Sequence, residues 1–167
     1  MTLQDNTILN HQEIKHKIRR IAYQIYESNV NEKEVILAGI DANGYTFAKK
    51  IKNELSKISD ITPSLCKVII DKKNPRKPIT TSIKESDYQN KSVVLIDDVL
   101  NSGTTLVYGV KHFLNVPLKQ FKTAVLVNRN HKKYPVKADF KGISLSTSLH
   151  EHVEVILDGK DFKALLV

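Results

Sequence analysis

An α/β fold, with a central parallel β-sheet flanked by helices and a small β-rich hood at the carboxyl end, is the fold class this sequence predicts, on three observations. Short apolar runs of strand length alternate with stretches of helical period from residue 11 to about residue 127. Those runs are apolar at nearly every position rather than at every second one, as strands covered on both faces must be. Past Tyr134 the helical period disappears and only short strand-like pieces remain.

The elements follow in order. Asn10-His11-Gln12-Glu13 reads as a helix cap whose third helical residue reaches back, and Ile14, Ile18, Ile21, Ala22 and Ile25 then recur at helical spacing, so a helix is expected over about 11–28. Its polar side carries Lys15, His16, Arg19 and Arg20, either as a solvated face or as a nucleic-acid contact. Glu34 to Ile40 is a buried-type strand closed by the turn Asp41-Ala42-Asn43-Gly44. Tyr45, Phe47, Ala48, Ile51, Leu55 and Ile58 mark the next helix, and Leu65 to Ile70 forms a strand after Thr62-Pro63, completing a βαβ unit.

Asp71 to Pro78 holds two prolines and the cations Lys72, Lys73, Arg76 and Lys77 without any period, so it is expected as a mobile loop. Ser92 to Asp97 is another core strand, followed by a turn and a helix through Leu106, Val107, Val110, Phe113 and Leu114. Thr123 to Val127 adds a further strand. Strands near Ala138 to Leu145 and Val153 to Leu157, with a last apolar piece at Phe162 to Val167, are expected to build the hood over about 134–167. His150 and His152 would face one side of a strand as surface histidines, no partner at metal-ligand spacing being evident. With 167 residues and no internal repeat, one domain over 1–167 is expected.

Composition narrows the function classes. Apolar residues at 41%, with only 6 Gly and 5 Pro, exclude collagenous and disordered chains. The lone Cys66 excludes an internal disulfide and multi-cysteine metal sites; it reads as a small core residue, and a reducing, cytoplasmic compartment is expected. Met1 to Asn6 lacks the basic and apolar regions of a secretion signal, and every long apolar run stops early or contains a charge, so no membrane contact is expected. The formal charge of +8 favours anionic partners, phosphorylated metabolites or nucleic acid.

One segment carries chemistry. Val93-Val94-Leu95-Ile96 delivers Asp97 and Asp98 into Val99-Leu100-Asn101-Ser102-Gly103-Thr104-Thr105, which opens a helix. Amides and hydroxyls at a helix N-terminus favour a phosphate, and Gly103 permits close approach and a positive φ. Two carboxylates repel phosphate but suit hydroxyls or a divalent metal. A sugar phosphate satisfies both halves. Neither a Gly-Lys-Ser/Thr P-loop nor a Gly-x-Gly-x-x-Gly fingerprint is present, which disfavours nucleoside-triphosphate and NAD readings.

This segment closely resembles the phosphoribosyl pyrophosphate (PRPP) signature of type I phosphoribosyltransferases. Ile36 to Ile40, Asp97 to Leu100, Ala124 to His131, Pro135 to Phe140 and Ser146-Thr147-Ser148 resemble, in order, segments of one branch, the pyrimidine-operon attenuator/uracil phosphoribosyltransferase (PyrR-like) family. The resemblance implies a Rossmann-like phosphoribosyltransferase domain with a hood, and Mg²⁺-dependent transfer from PRPP to a nucleobase, uracil first, with hypoxanthine, guanine and xanthine open. It implies that Asp97 and Asp98 hold the ribose hydroxyls and that Asn101, Ser102, Gly103, Thr104 and Thr105 hold the 5′-phosphate. Asp41, Ala42, Asn43 and Gly44 match the pyrophosphate loop, with Gly44 allowing an unusual peptide geometry. Lys72, Lys73, Arg76 and Lys77 fall in the lid, and Arg129 with Ser146, Thr147 and Ser148 surrounds the base. Mg²⁺ would be held mainly through substrate oxygens, and a homodimer or higher homo-oligomer is implied.

Two departures from the family pattern keep a second reading open. Ala42-Asn43-Gly44 stands where the branch usually carries Thr-Arg-Gly, removing a cation beside the leaving group, and Asn101-Ser102-Gly103-Thr104-Thr105 stands where Tyr-Thr-Gly-Arg-Thr is common. The alternative is a nucleotide-sensing, RNA-binding regulator with weak or no transferase activity. Arg129, His131, Lys132, Lys133 and Lys137, with the first helix, would supply its basic stripe, against a bland role in solubility. Tyr134 and Phe140 read as packing residues.

Overall fold

The computed structural model describes residues 5–167; Met1 to Gln4, part of the expected signal-free start, lie outside the described residues. In chain order the elements are β1 (Thr7–Leu9), α1 (His11–Ser28), β2 (Glu34–Ile40), α2 (Asn43–Ile58), β3 (Thr62–Ile69), β4 (Thr80–Thr81), α3 (Glu85–Tyr88), β5 (Ser92–Leu100), α4 (Thr104–Phe113), β6 (Gln120–Arg129), β7 (Phe140–Leu145), β8 (Val153–Ile156) and β9 (Lys163–Leu166). The expected α1 cap is complete. The Glu13 N–H donates to Asn10 Oδ1 at 2.9 Å, and the Asn10 N–H donates back to Glu13 Oε1 at 3.1 Å.

Six strands form the central sheet in the order β4-β3-β2-β5-β6-β7, parallel throughout except for the antiparallel β3–β4 pair. The near-continuous apolar runs are explained by cover on both faces. Val35, Leu37, Val94, Ile96 and Leu126 pack with α1 and α2, whereas Ile36, Ala38, Ile40, Val93, Leu95 and Val125 pack with Leu106 and Phe113 of α4. Cys66 is fully buried in this second layer, as a core residue would be.

The hood expected over 134–167 is divided. Its first strand, β7, joins the central sheet in parallel beside β6, while β8 and β9 pair with β1 in a separate three-stranded antiparallel sheet. The physical reason is register: Ala124 to Arg129 leaves a row of unpaired backbone groups that Phe140 to Leu145 completes. Arg20 then caps the exposed edge of β7, its Nη2 donating to the Lys141 and Gly142 carbonyls at 2.6 Å each. One arm of this guanidinium is therefore committed to the fold. His150 and His152 precede β8 and are exposed, so they do not share a strand face as expected.

Two boundaries also differ from expectation. Strand β3 starts at Thr62 and includes Pro63, which is tolerated because β3 is the sheet edge there, β4 pairing only with Val68 and Ile69. Strand β5 runs three residues beyond Asp97, to Leu100, because Val99 and Leu100 continue the ladder with Val127 and Asn128 of β6. After the loop expected over Asp71 to Pro78, Thr80–Thr81 and Glu85–Tyr88 form a short strand and a helical turn for which the sequence carried no expectation.

From β2 the chain moves through α2 to β3 on one side and later returns to β5 on the other. That reversal opens a crevice at the carboxyl ends of β2 and β5. Gly39 controls how tightly α2 closes on it: a Cβ there would lie 2.6 Å from Tyr45 Cα and 2.7 Å from the Gly44 carbonyl, both backbone atoms. Gly39→Ala is expected to destabilise the fold by roughly 1–3 kcal/mol in urea unfolding, as an overpacked core position does.

Candidate active site

At the crevice, the β2 end and the start of α2 present Asp41 to Gly44. The cis peptide bond here joins Asp41 to Ala42, not Gly44 to a neighbour as expected, and Gly44 already lies in the first turn of α2. What Gly44 supplies is proximity. A Cβ on it would meet the Ile96 carbonyl at 2.8 Å and Asp97 Cα and Oδ1 at 3.0 Å. Asn43 donates from Nδ2 to Asp98 Oδ2 at 3.2 Å and to the Val155 carbonyl of β8 at 2.9 Å.

The two acids occupy different environments. Asp97 is 4% exposed and accepts the Asp98 N–H on Oδ1 at 2.9 Å, whereas half-buried Asp98 accepts the Val99 N–H at 2.9 Å as well as Asn43. Burial pushes the Asp97 carboxyl well above the ordinary carboxylate range, the Asp98 charge adds to this, and the Lys72 ammonium opposes it. The cause is lost hydration, so a hydrogen-bond donor arriving at this carboxyl would offset part of that penalty.

Beyond the acids, a cavity of about 210 Å³ is lined by Asp97, Asp98, Asn101 to Leu106, Lys72 and Val153. Gly103 adopts φ 87°, the left-handed turn that lets α4 start at Thr104. The first α4 hydrogen bond runs from the Val107 N–H to the Gly103 carbonyl, so the opening-turn amides have no partner within the helix, and the Thr104 N–H instead donates to Ser102 Oγ at 3.3 Å. Ser102 Oγ lies 2.9 Å from Thr104 Oγ1, orienting two hydroxyls on the same rim. The loop is braced from behind: the Lys133 and Tyr134 N–H groups donate to the Ser102 carbonyl at 2.7 and 3.2 Å.

Arg129, expected around the nucleobase, is buried and its donors are engaged. Nη1 donates to Asn101 Oδ1 at 2.9 Å, Nε and Nη2 to Thr147 Oγ1 at 3.0 and 2.7 Å, and Nη2 to the Ser148 and Glu151 carbonyls. It thus ties the first residue of the anion-seeking loop to the segment 147–151. Ser146 is held by Asn130, whose Nδ2 donates to its Oγ at 3.0 Å. Of the lid cations, only Lys72 lines the cavity. Arg76 and Lys77 line a separate one against Tyr108, Lys111 and His112, Lys77 pairs with Asp71 at 3.3 Å, and the Lys73 N–H donates to Asp71 Oδ1.

Two participants escape sequence reasoning, the Val155 carbonyl and Val153. Both belong to β8, which reaches the site only through tertiary folding, and a backbone acceptor leaves no side-chain signal.

The Asp97 shift has a stability consequence. In the unfolded chain this carboxyl titrates near 3.8, so as pH rises from there through its higher folded pKa, the folded state keeps a proton that the unfolded state has lost, and stability falls. Asp97→Asn keeps the acceptor for the Asp98 N–H and removes the buried charge. Thermal unfolding without ligand is expected to give a higher Tm for the variant near neutral pH, with the advantage shrinking as pH falls toward 4.

Comparison with known proteins agrees with this geometry. The family model described as "Phosphoribosyl transferase domain" matches residues 4–158. "Bifunctional protein PyrR" of Macrococcus caseolyticus is 32% identical over 165 residues, covering 93% of this chain and 94% of the relative. The protein of the same name from Fusobacterium nucleatum is 32% identical over 178 residues, covering 99% and 100%. Among solved structures, the hypoxanthine phosphoribosyltransferase of Trypanosoma cruzi superposes with a TM-score of 0.78 at 16% identity, covering 96% of each chain, a likeness of fold. With that match running along nearly its whole length, the chain belongs to the phosphoribosyl transferase domain family.

Proposed function

We propose that this protein transfers the phosphoribosyl group of PRPP to a nucleobase, uracil being the first choice, with release of pyrophosphate. The observation that carries the reading is a single cavity in which paired acids adjoin an anion-seeking helix start. In the reaction, the bond from the ribose anomeric carbon to pyrophosphate breaks and positive charge develops on the ring. Asp97 and Asp98 would accept hydrogen bonds from the ribose hydroxyls and orient the sugar, while Asn101 to Thr105 hold the 5′-phosphate. Lys72, the one lid cation lining the cavity, would stand nearest to the departing charge. Asn43 has both amide hydrogens engaged and offers none to pyrophosphate.

Among the described residues, no three His, Cys, Asp or Glu side chains group so as to hold a metal ion. Two carboxylates at a polyphosphate site nevertheless fit Mg²⁺, which is commonly bound through substrate phosphates with one or two protein acids. When bound, Mg²⁺ neutralises leaving-group charge. No helix among the described residues is long and apolar enough to cross a membrane. The free Cys66 thiol supports a cytoplasmic setting, and the family resemblance supports a homodimer or higher homo-oligomer.

A second reading, an RNA-binding regulator that keeps the nucleotide pocket, is favoured by Asn43 in the arginine position and by a basic cavity of about 440 Å³ between α1 and α2, where Lys15, His16, Arg19, Lys50 and Lys57 gather.

A turnover screen of PRPP with each base in magnesium buffer tests both readings. Wild type is expected to form product with uracil, and Asp97→Asn plus Asp98→Asn to lose on the order of 100-fold or more in rate. Equal product from both proteins removes the acids from the mechanism; no product with any base leaves the regulator. For RNA, changing Arg19, Lys132 or Lys133 is expected to reduce the slope of log affinity against log salt by about 1 for each phosphate no longer neutralised, and an unchanged slope discards that surface.

A further inference from the structure

We infer that Asn43 is a positioning residue for the ribose acid Asp98, and that it latches strand β8 to the site instead of serving the leaving group. The inference rests on the transferase reading above and assigns residue 43 a different task from the one its place in the pyrophosphate turn implies.

An amide carries two N–H bonds, and both of those on Asn43 have partners: Asp98 Oδ2 at 3.2 Å and the Val155 carbonyl at 2.9 Å. What Asn43 has left toward a ligand is an acceptor oxygen, which repels pyrophosphate. Asp98 is thereby held at both oxygens, Oδ2 by Asn43 and Oδ1 by the Val99 N–H at 2.9 Å. A carboxylate fixed in this way keeps its remaining lone pairs aimed at one place, so the ordering cost of gripping a sugar hydroxyl is met in advance. Asp97 needs no such partner, because burial immobilises it.

The second bond extends the effect. Val155 is buried in the core layer shared with α1 and α2, and Val153 of the same strand lines the cavity. Asn43 therefore joins three elements that meet nowhere in sequence: the start of α2, the end of β5 and the middle of β8.

The test compares two ligands by titration calorimetry in magnesium buffer: ribose 5-phosphate, which presents hydroxyls and phosphate, and inorganic phosphate, which presents only the latter. Asn43→Ala is expected to weaken ribose 5-phosphate by ~tenfold and to leave inorganic phosphate within ~twofold, since hydrogen bonds to a charged group are the stronger kind. Asn43→Asp, equal in size but with acceptors in place of donors, is expected to lose at least as much. Asn43→Ser, which retains one donor, should fall between wild type and Asn43→Ala and serves if the alanine variant folds poorly. Unchanged ribose 5-phosphate binding in Asn43→Ala and Asn43→Asp overturns the inference, as does a parallel loss of both ligands, which would mean general loosening of the site. If wild type binds inorganic phosphate but not ribose 5-phosphate, the transferase reading fails first and this inference goes with it.

Discussion

Gly44 and Asp97 are packed so closely that no side-chain atom fits between α2 and β5, a Cβ on Gly44 falling 2.8 Å from the Ile96 carbonyl. The rest of the site depends on this contact. It sets the start of α2 against the β5 end, buries Asp97, and brings Asn43 within hydrogen-bonding distance of Asp98. Gly39, one layer deeper, serves the same approach from the β2 side. Two residues without side chains thus convert a sheet crevice, common to many α/β folds, into a site with a particular floor.

The cavity meets two opposed electrostatic demands over a few residues. Its floor holds the paired carboxyls of Asp97 and Asp98, while its rim is built from α4 amides and hydroxyls that attract anions. Val99 and Leu100, still within β5, stand between the two regions along the chain and line the same cavity. The Arg129 guanidinium, buried behind Asn101 with neutral acceptors around it, adds positive potential on the rim side without entering the cavity. Little of the chain's excess charge of +8 lies in the site itself. Most of the cations near cavities instead line the α1–α2 groove and the surface between the lid and α4.

The hood shows how tertiary pairing redistributes local segments. Phe140 to Leu145 and Val153 to Ile156 look alike as short strands, yet one extends the central parallel sheet and the other pairs with β9, the strand that carries β1 on its other edge. Open backbone groups on β6 and the covering helix α1, through Arg20, select the first outcome. Val155 and Val153 consequently arrive at the site from the far end of the chain, carried by a sheet whose other edge is Thr7 to Leu9.

Much of the fold was legible in the amino-acid sequence because its signals are local. The Asn10–Glu13 cap and the five buried positions of α1 are written in neighbouring residues, as are the doubly covered runs of β2, β5 and β6 and the glycine turn before α4. The loop Asn101 to Thr105 was legible for the same reason, since a helix start needs only the residues that compose it. What tertiary structure alone decided is every contact between segments distant in sequence: Asn43 with Asp98 and Val155, Arg129 with Asn101 and Thr147, Arg20 with the β7 edge, and the separation of Lys72 from Arg76 and Lys77. Periodicity and capping are properties of adjacent residues, whereas a hydrogen bond across 112 positions depends on how sheets and helices are stacked, and its backbone acceptors carry no residue type to read.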